Sequence, residues 1–166
     1  DFMNWTITTR GPWPTLRTWG GTSTARGGGA GTVWLETPRT LIVDNGTRTN
    51  GDTTPLPAGT YDLEALRVIG RGYAIVGPTA TVSVGTLLDL TTNGSLELGN
   101  ELVASRVEVR ATGSLFATTA TSAFHLRATG ELWVEAGGII DGSARGNAGG
   151  AGSGAGGAGG YRVGGG

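Results

Sequence analysis

Four glycines in the middle of this chain are each flanked on both sides by apolar residues at alternating positions. Leu66, Val68, Gly72, Ala74 and Val76 make one set, and Leu88, Leu90, Gly94, Leu96 and Leu98 the next. Val107, Val109, Gly113, Leu115 and Ala117 make a third; Phe124, Leu126, Gly130, Leu132 and Val134 make a fourth. The glycines stand 22, 19 and 17 residues apart, and the last two close the same phrase, "RATG", at 110–113 and 127–130. Alternation on each side of a glycine reads as two short strands with one inward face, the glycine supplying a positive-φ bend where the chain turns a corner. A period near 20 residues is the mark of a solenoid, in which no rung buries its apolar face alone and stacking makes a continuous core. The predicted fold is therefore an all-β parallel solenoid. A plain antiparallel sandwich is the competing reading, because it also alternates and turns at short intervals. The fixed x-G-x between like half-strands favours the solenoid, and Ala80, Val82 and Val84 fit a third side of the longest rung.

Around this middle the chain divides into distinct regions. Residues 1–25 form an arm with Trp5, Trp13 and Trp19 among Pro, Thr and Gly. Three tryptophans are too costly to leave in water, so the arm is expected to pack on its own solenoid or on a neighbouring molecule. The solenoid is expected over 26–144, with "GTVWLE" and "TLIVDNG" as strands and a loop excursion at about 45–62, rich in turn formers. Residues 145–166 are a Gly/Ala tract that reads as a flexible linker or as packed polyproline-II segments, since Gly recurs every third residue over parts of it. The terminal "YRVGGG" resembles "ARGGGAG" at 25–31, a hint of a tandem unit or of a subunit that meets its like.

Composition excludes several partners. All twelve basic residues are Arg, they are not clustered, and the formal charge is −1. Nucleic acid and anionic membranes, which call for a basic patch, are not expected partners. No apolar run approaches the roughly 20 residues of a membrane span. Without Cys there is no disulfide, no thiol chemistry and no cysteine zinc site. The chain starts at Asp1 with neither an initiator Met nor an apolar leader, which suits a processed product or a piece of a longer secreted protein.

"GGGAGTVWLE", followed by "TLIVDNG", by the rungs and by a Gly/Ala tract, resembles the Gly-rich repeat regions of large secreted bacterial β-helix proteins of the surface and adhesin type. The resemblance implies a right-handed parallel β-helix, located extracellularly or at the cell surface, with a structural or adhesive role. It brings no catalytic residues.

Stacking makes ladders of outward side chains at about 4.8 Å spacing. One is expected to read Arg67, Asp89, Glu108, His125, and another Ile75, Glu97, Phe116, Trp133, with Tyr73, Ser95, Ser114 and Glu131 beside it. Asp89 and Glu108 are candidates for an acid pair or a shared calcium ion, against a plain charge ladder bracketed by Arg67 and His125. Tyr73, Phe116 and Trp133 are candidates for stacking on sugar rings, against burial under the arm or a second subunit. No nucleophile identifies His125 as part of a triad, and no phosphate loop, dinucleotide fingerprint or zinc-protease motif is present. Asn45 and Asn93 begin glycosylation sequons that read as turns. The expectation is a non-enzymatic structural module without cofactors that self-associates into a homo-polymer. The rivals are a glycan-binding adhesin using Phe116 and Trp133, and a carbohydrate-active enzyme using Asp89, Glu108 and Arg67.

Overall fold

The computed structural model describes residues 28–46, 48–49, 51–117 and 125–142. Within them the chain is all-β, a parallel solenoid of about four turns. In chain order the strands are β1 (Gly31–Leu35), β2 (Thr40–Asp44), β3 (Thr54–Leu56), β4 (Gly59–Ile69), β5 (Tyr73–Val76) and β6 (Ala80–Leu90). They continue with β7 (Ser95–Leu98), β8 (Leu102–Val109), β9 (Ser114–Ala117), β10 (Leu126–Val134) and β11 (Ile139–Asp141). One sheet has the order β1-β2-β4-β6-β8-β10 and the other β11-β9-β7-β5-β3, so each rung gives one long strand and one short strand. All neighbours run parallel except β1 and β2, which form an antiparallel hairpin whose turn contains a cis Thr37–Pro38 peptide.

Alternation puts one face of each strand inside, and the register stacks like on like. Leu41, Leu66, Leu88, Val107 and Leu132 form one column; Val43, Val68, Leu90, Val109 and Val134 form the next. On the short-strand side Ala74, Leu96, Leu115 and Ile140 stack, as do Leu56, Val76, Leu98 and Ala117. The long strands are two segments that meet at a break in alternation. Buried positions go from Leu63 to Leu66 in β4, from Val84 to Leu88 in β6 and from Ala104 to Val107 in β8. Pairing slips at the same place in each rung, where β6 and β10 each carry one residue more than β8 opposite them. The first segments stack Tyr61, Val82, Leu102 and Leu126, which is the expected third side around Val82. The expected excursion at 45–62 is shorter than its composition suggests, because β3 and the start of β4 already pair with the following rung.

The corner from long to short strand recurs four times among the described residues with one closing hydrogen bond. The amides of Gly72, Gly94, Gly113 and Gly138 donate to the carbonyls of Ile69, Thr91, Arg110 and Glu135 at 2.8, 2.9, 2.8 and 2.9 Å. Positive φ lies one residue earlier, at Arg71 (60°), Asn93 (59°), Thr112 (67°) and Gly137 (88°), and in the first two corners also one residue before that, at Gly70 (56°) and Thr92 (53°). The glycine itself answers a different demand. A Cβ at Gly72, Gly94, Gly113 or Gly138 would stand 2.6, 1.9, 2.4 or 2.5 Å from a carbonyl oxygen of the preceding rung. Close approach of two backbones, rather than a left-handed bend, therefore requires glycine there. Thr112, a β-branched residue rare at positive φ, is held in place across rungs: its amide donates to Gly137 O and its hydroxyl accepts from the Asn93 amide.

The fourth rung corrects the expected alignment. Its corner is Glu135–Gly138, so the corner glycines 113 and 138 are 25 residues apart, and "RATG" at 127–130 is no corner. Thr129 and Gly130 instead form the bulge opposite Ser105, where a Cβ on Gly130 would lie 2.8 Å from the Ser105 oxygen. A small, permissive residue suits a bulge as well as a corner, so the phrase repeats while its role changes. Every fourth-rung position in the expected ladders shifts with it.

Candidate functional site

The expected ladder Arg67, Asp89, Glu108, His125 holds for its first three members, and Trp133 stands in the fourth place. His125 lies before β10, with its carbonyl accepting from the Leu102 amide at 3.0 Å. Although they point away from the core, Asp89 and Glu108 are 3% and 4% exposed, because arginines cover them. Asp89 Oδ2 accepts from Arg67 Nε at 3.1 Å, and Asp89 Oδ1 from Arg110 Nε at 3.0 Å. Arg110 Nη2 also donates to Glu108 Oε2, and Arg106 Nη2 lies 2.7 Å from Glu108 Oε1. The chain of charges continues from Arg106 to Glu131 at 3.1 Å and from Arg110 to Glu135 at 3.7 Å. Glu135 in turn accepts from the Ala111 amide at 3.0 Å, which ties the corner of the third rung to the fourth.

This arrangement leaves no carboxylate oxygen of Asp89 or Glu108 without a guanidinium. A hydrolytic acid pair needs one carboxyl able to hold a proton against the substrate, and calcium needs oxygen ligands free of competing cations. Three arginines around two buried acids meet neither need, and among the described residues no group of three or more His, Cys, Asp or Glu side chains is placed to hold a metal ion. The cluster instead ties together four stacked rungs, from Arg67 on β4 to Glu131 on β10. Arg106, Arg110 and Glu135 are members that the sequence reading did not assign, and Glu131, expected beside the second ladder, belongs here instead. Their signal is the "VEVR" at the end of β8, where Glu108 is followed two residues later, just past the strand, by Arg110.

The second ladder reads Pro55, Ile75, Glu97, Phe116, Asp141, beside Tyr73, Ser95, Ser114, Ile139. The expected grouping of Phe116 with Trp133 is corrected by the same shift of the fourth rung. Phe116 faces out from the short-strand sheet, and Trp133, 44% exposed, from the long-strand sheet. Tyr73 is the residue that meets Phe116, edge to face, with ring centroids 5.6 Å apart. The two residues lie two strands apart, so the tyrosine leans over the small Ser95 and Ser114 to reach it. Its hydroxyl donates to Glu97 Oε2 at 2.5 Å; burial first, and then the Glu97 carboxylate, push the phenol well above its ordinary pKa. Trp5, Trp13 and Trp19 lie outside the described residues, as do Phe124 and the Gly-rich tract. Of the two sequon asparagines, Asn45 is buried and Asn93 is exposed at a corner.

Among the described residues no helix is long and apolar enough to cross a membrane. Comparison of the chain with protein-family models, with curated proteins and with solved structures gave no match in any of the three.

Proposed function

We propose that this chain is a non-enzymatic structural unit of a Gly-rich secreted β-helix assembly, joined end to end into a fibre or surface layer outside the cell. The last rung supports this reading. Leu132 and Val134 are 49% and 42% exposed, whereas Val107 and Val109, one rung inward in the same columns, are at 0%. The half of each side chain left in water is the half that one more rung would cover. Among the described residues strands β10 and β11 are also sheet edges, and unpaired edges are surfaces for joining another chain. The engagement of Asp89 and Glu108 by arginines supports a structural role for these two acids over a carbohydrate-cleaving one. Sedimentation velocity and electron microscopy of the purified protein over a wide concentration range test the proposal. Concentration-dependent filaments are expected; a species that stays monomeric throughout would overturn it.

One observation favours a second reading, a glycan-binding face. Tyr73 and Phe116 present an aromatic pair beside Glu97 on the outward short-strand sheet. A glycan array probed with the wild type and with Phe116→Ala tests it, and signal that survives the substitution would remove it.

A further inference from the structure

The two ends of the long-strand sheet match in register. Strand β1 closes the stack at the first rung and β10 at the last. Trp34 lies opposite Leu41 and Thr32 opposite Val43, so both are on the core side, in the columns that end at the far side in Leu132 and Val134. Trp34 is 49% exposed, the same fraction as Leu132, although each sits on the axis of a core whose interior members are fully buried.

We infer that copies of this chain join head to tail, β10 of one against β1 of the next, with Trp34 seated on Leu132 and Thr32 on Val134. The inference deepens the end-to-end reading above and rests on it. Joining continues one sheet: β1 runs against the solenoid direction, so it meets β10 as an antiparallel partner, and both edges, which have no strand partner among the described residues, gain ladder bonds. Charge selects this joint over a tail-to-tail one. The last described rung carries Glu131, Glu135 and Asp141 against Arg127; Arg106 and Arg110 of the rung before offset Glu131 and Glu135 in part, yet two such ends facing each other would still set these carboxylates near their own copies. Strand β1, "GTVWL", has no charge to oppose them. The contact is heterologous, using different surfaces on the two partners, and it propagates without closing.

Two variants, each with one spoiled end, test the joint. Trp34→Arg removes the head and keeps the tail; Val134→Arg removes the tail and keeps the head. Each alone is expected to need a concentration about tenfold higher or more to assemble. Mixed in equal amounts they are expected to give a heterodimer that does not grow, because the intact tail of one meets the intact head of the other. Trp34→Glu and Leu132→Glu repeat the test should either arginine variant lose its β-sheet circular dichroism. Wild type that associates while Trp34→Arg still forms dimers would establish a tail-to-tail contact and overturn the inference, as would mixed variants that stay monomeric. Wild type that never associates would overturn the end-to-end reading itself, a different result.

Discussion

If the corner glycines are demanded by backbone approach rather than by dihedral angle, alanine scanning should sort glycines by the space above them. Gly94 is the extreme case. A Cβ there would stand 1.9 Å from Val68 O and 2.5 Å from its carbonyl carbon, in a rung with another rung on each side. Ordinary C···O contact is about 3.3 Å, so the two backbones must part by more than about 1 Å. Parting them weakens the bond from the Thr91 amide to Val68 O, now 3.2 Å, and disturbs the Gly94-to-Thr91 turn bond. Overpacking of a rigid site costs about 1–3 kcal/mol and the bond roughly 1 more, so Gly94→Ala should cost about 3 kcal/mol. For a chain of this size that lowers Tm by about 6–12 °C. Gly77 is the control, with nothing within 4 Å of its Cβ and no positive φ. Gly77→Ala should be neutral or stabilising by up to ~1 kcal/mol, through the unfolded chain. Asn93→Ala separates the two roles, since its φ of 59° costs about 1–2 kcal/mol for a residue that only bends. Urea titrations of the three variants supply the assay. Equal losses for Gly94→Ala and Asn93→Ala, or a Gly94→Ala as mild as Gly77→Ala, would refute the reasoning.

Asp89→Ala should cost about 1–3 kcal/mol in chemical denaturation, because it removes the charge-assisted bonds from Arg67 and Arg110, while both guanidiniums stay partly in water and Arg110 keeps Glu108. Arg67→Ala should cost less, as that guanidinium is 44% exposed and Arg110 still holds Asp89. The Tyr73 phenol, raised by burial and Glu97, should still be protonated above pH 10, where a free tyrosine ionises; the 295 nm difference between wild type and Tyr73→Phe would show it. Because the folded-state pKa lies above the unfolded one, the contribution of Tyr73 to stability is complete below about pH 10 and declines as pH rises beyond it. A Tyr73→Phe variant should therefore lose less stability than wild type between about pH 10 and 12, and parallel curves would contradict this.

The fold was legible in the sequence wherever one signal had one meaning. Apolar alternation on both sides of Gly72, Gly94 and Gly113 marked three true rungs, and the register follows those positions residue for residue. Gly130 misled because a bulge and a corner both want a residue without Cβ, and only the carbonyl of the neighbouring rung tells them apart. The true fourth corner, "EAGG" at 135–138, sits among glycines where the phrase has little contrast. That slip of eight residues, 138 less 130, moved Trp133 from beside Phe116 to above Glu108. The charged cluster was half legible. Asp89 and Glu108 were found as neighbours through the ladder, but their burial depends on Arg110, which reaches back across a rung from a corner.

The stacked register also fixes how the molecule bears load. The described chain enters at β1 on one end of the stack and leaves at β11 on the other, so tension between the termini acts along the axis and across every interstrand ladder in series. Bonds in series share one force, and the weakest interface yields before the rest. Freeing the rung between Gly72 and Gly94 releases 22 residues, about 70 Å of contour at ~3.3 Å per residue, in exchange for a single strand spacing. A stretched molecule should therefore lengthen in discrete steps of that order, absorbing work rung by rung. The third rung, pinned to its neighbours by Arg106 and Arg110, should be among the last to give way.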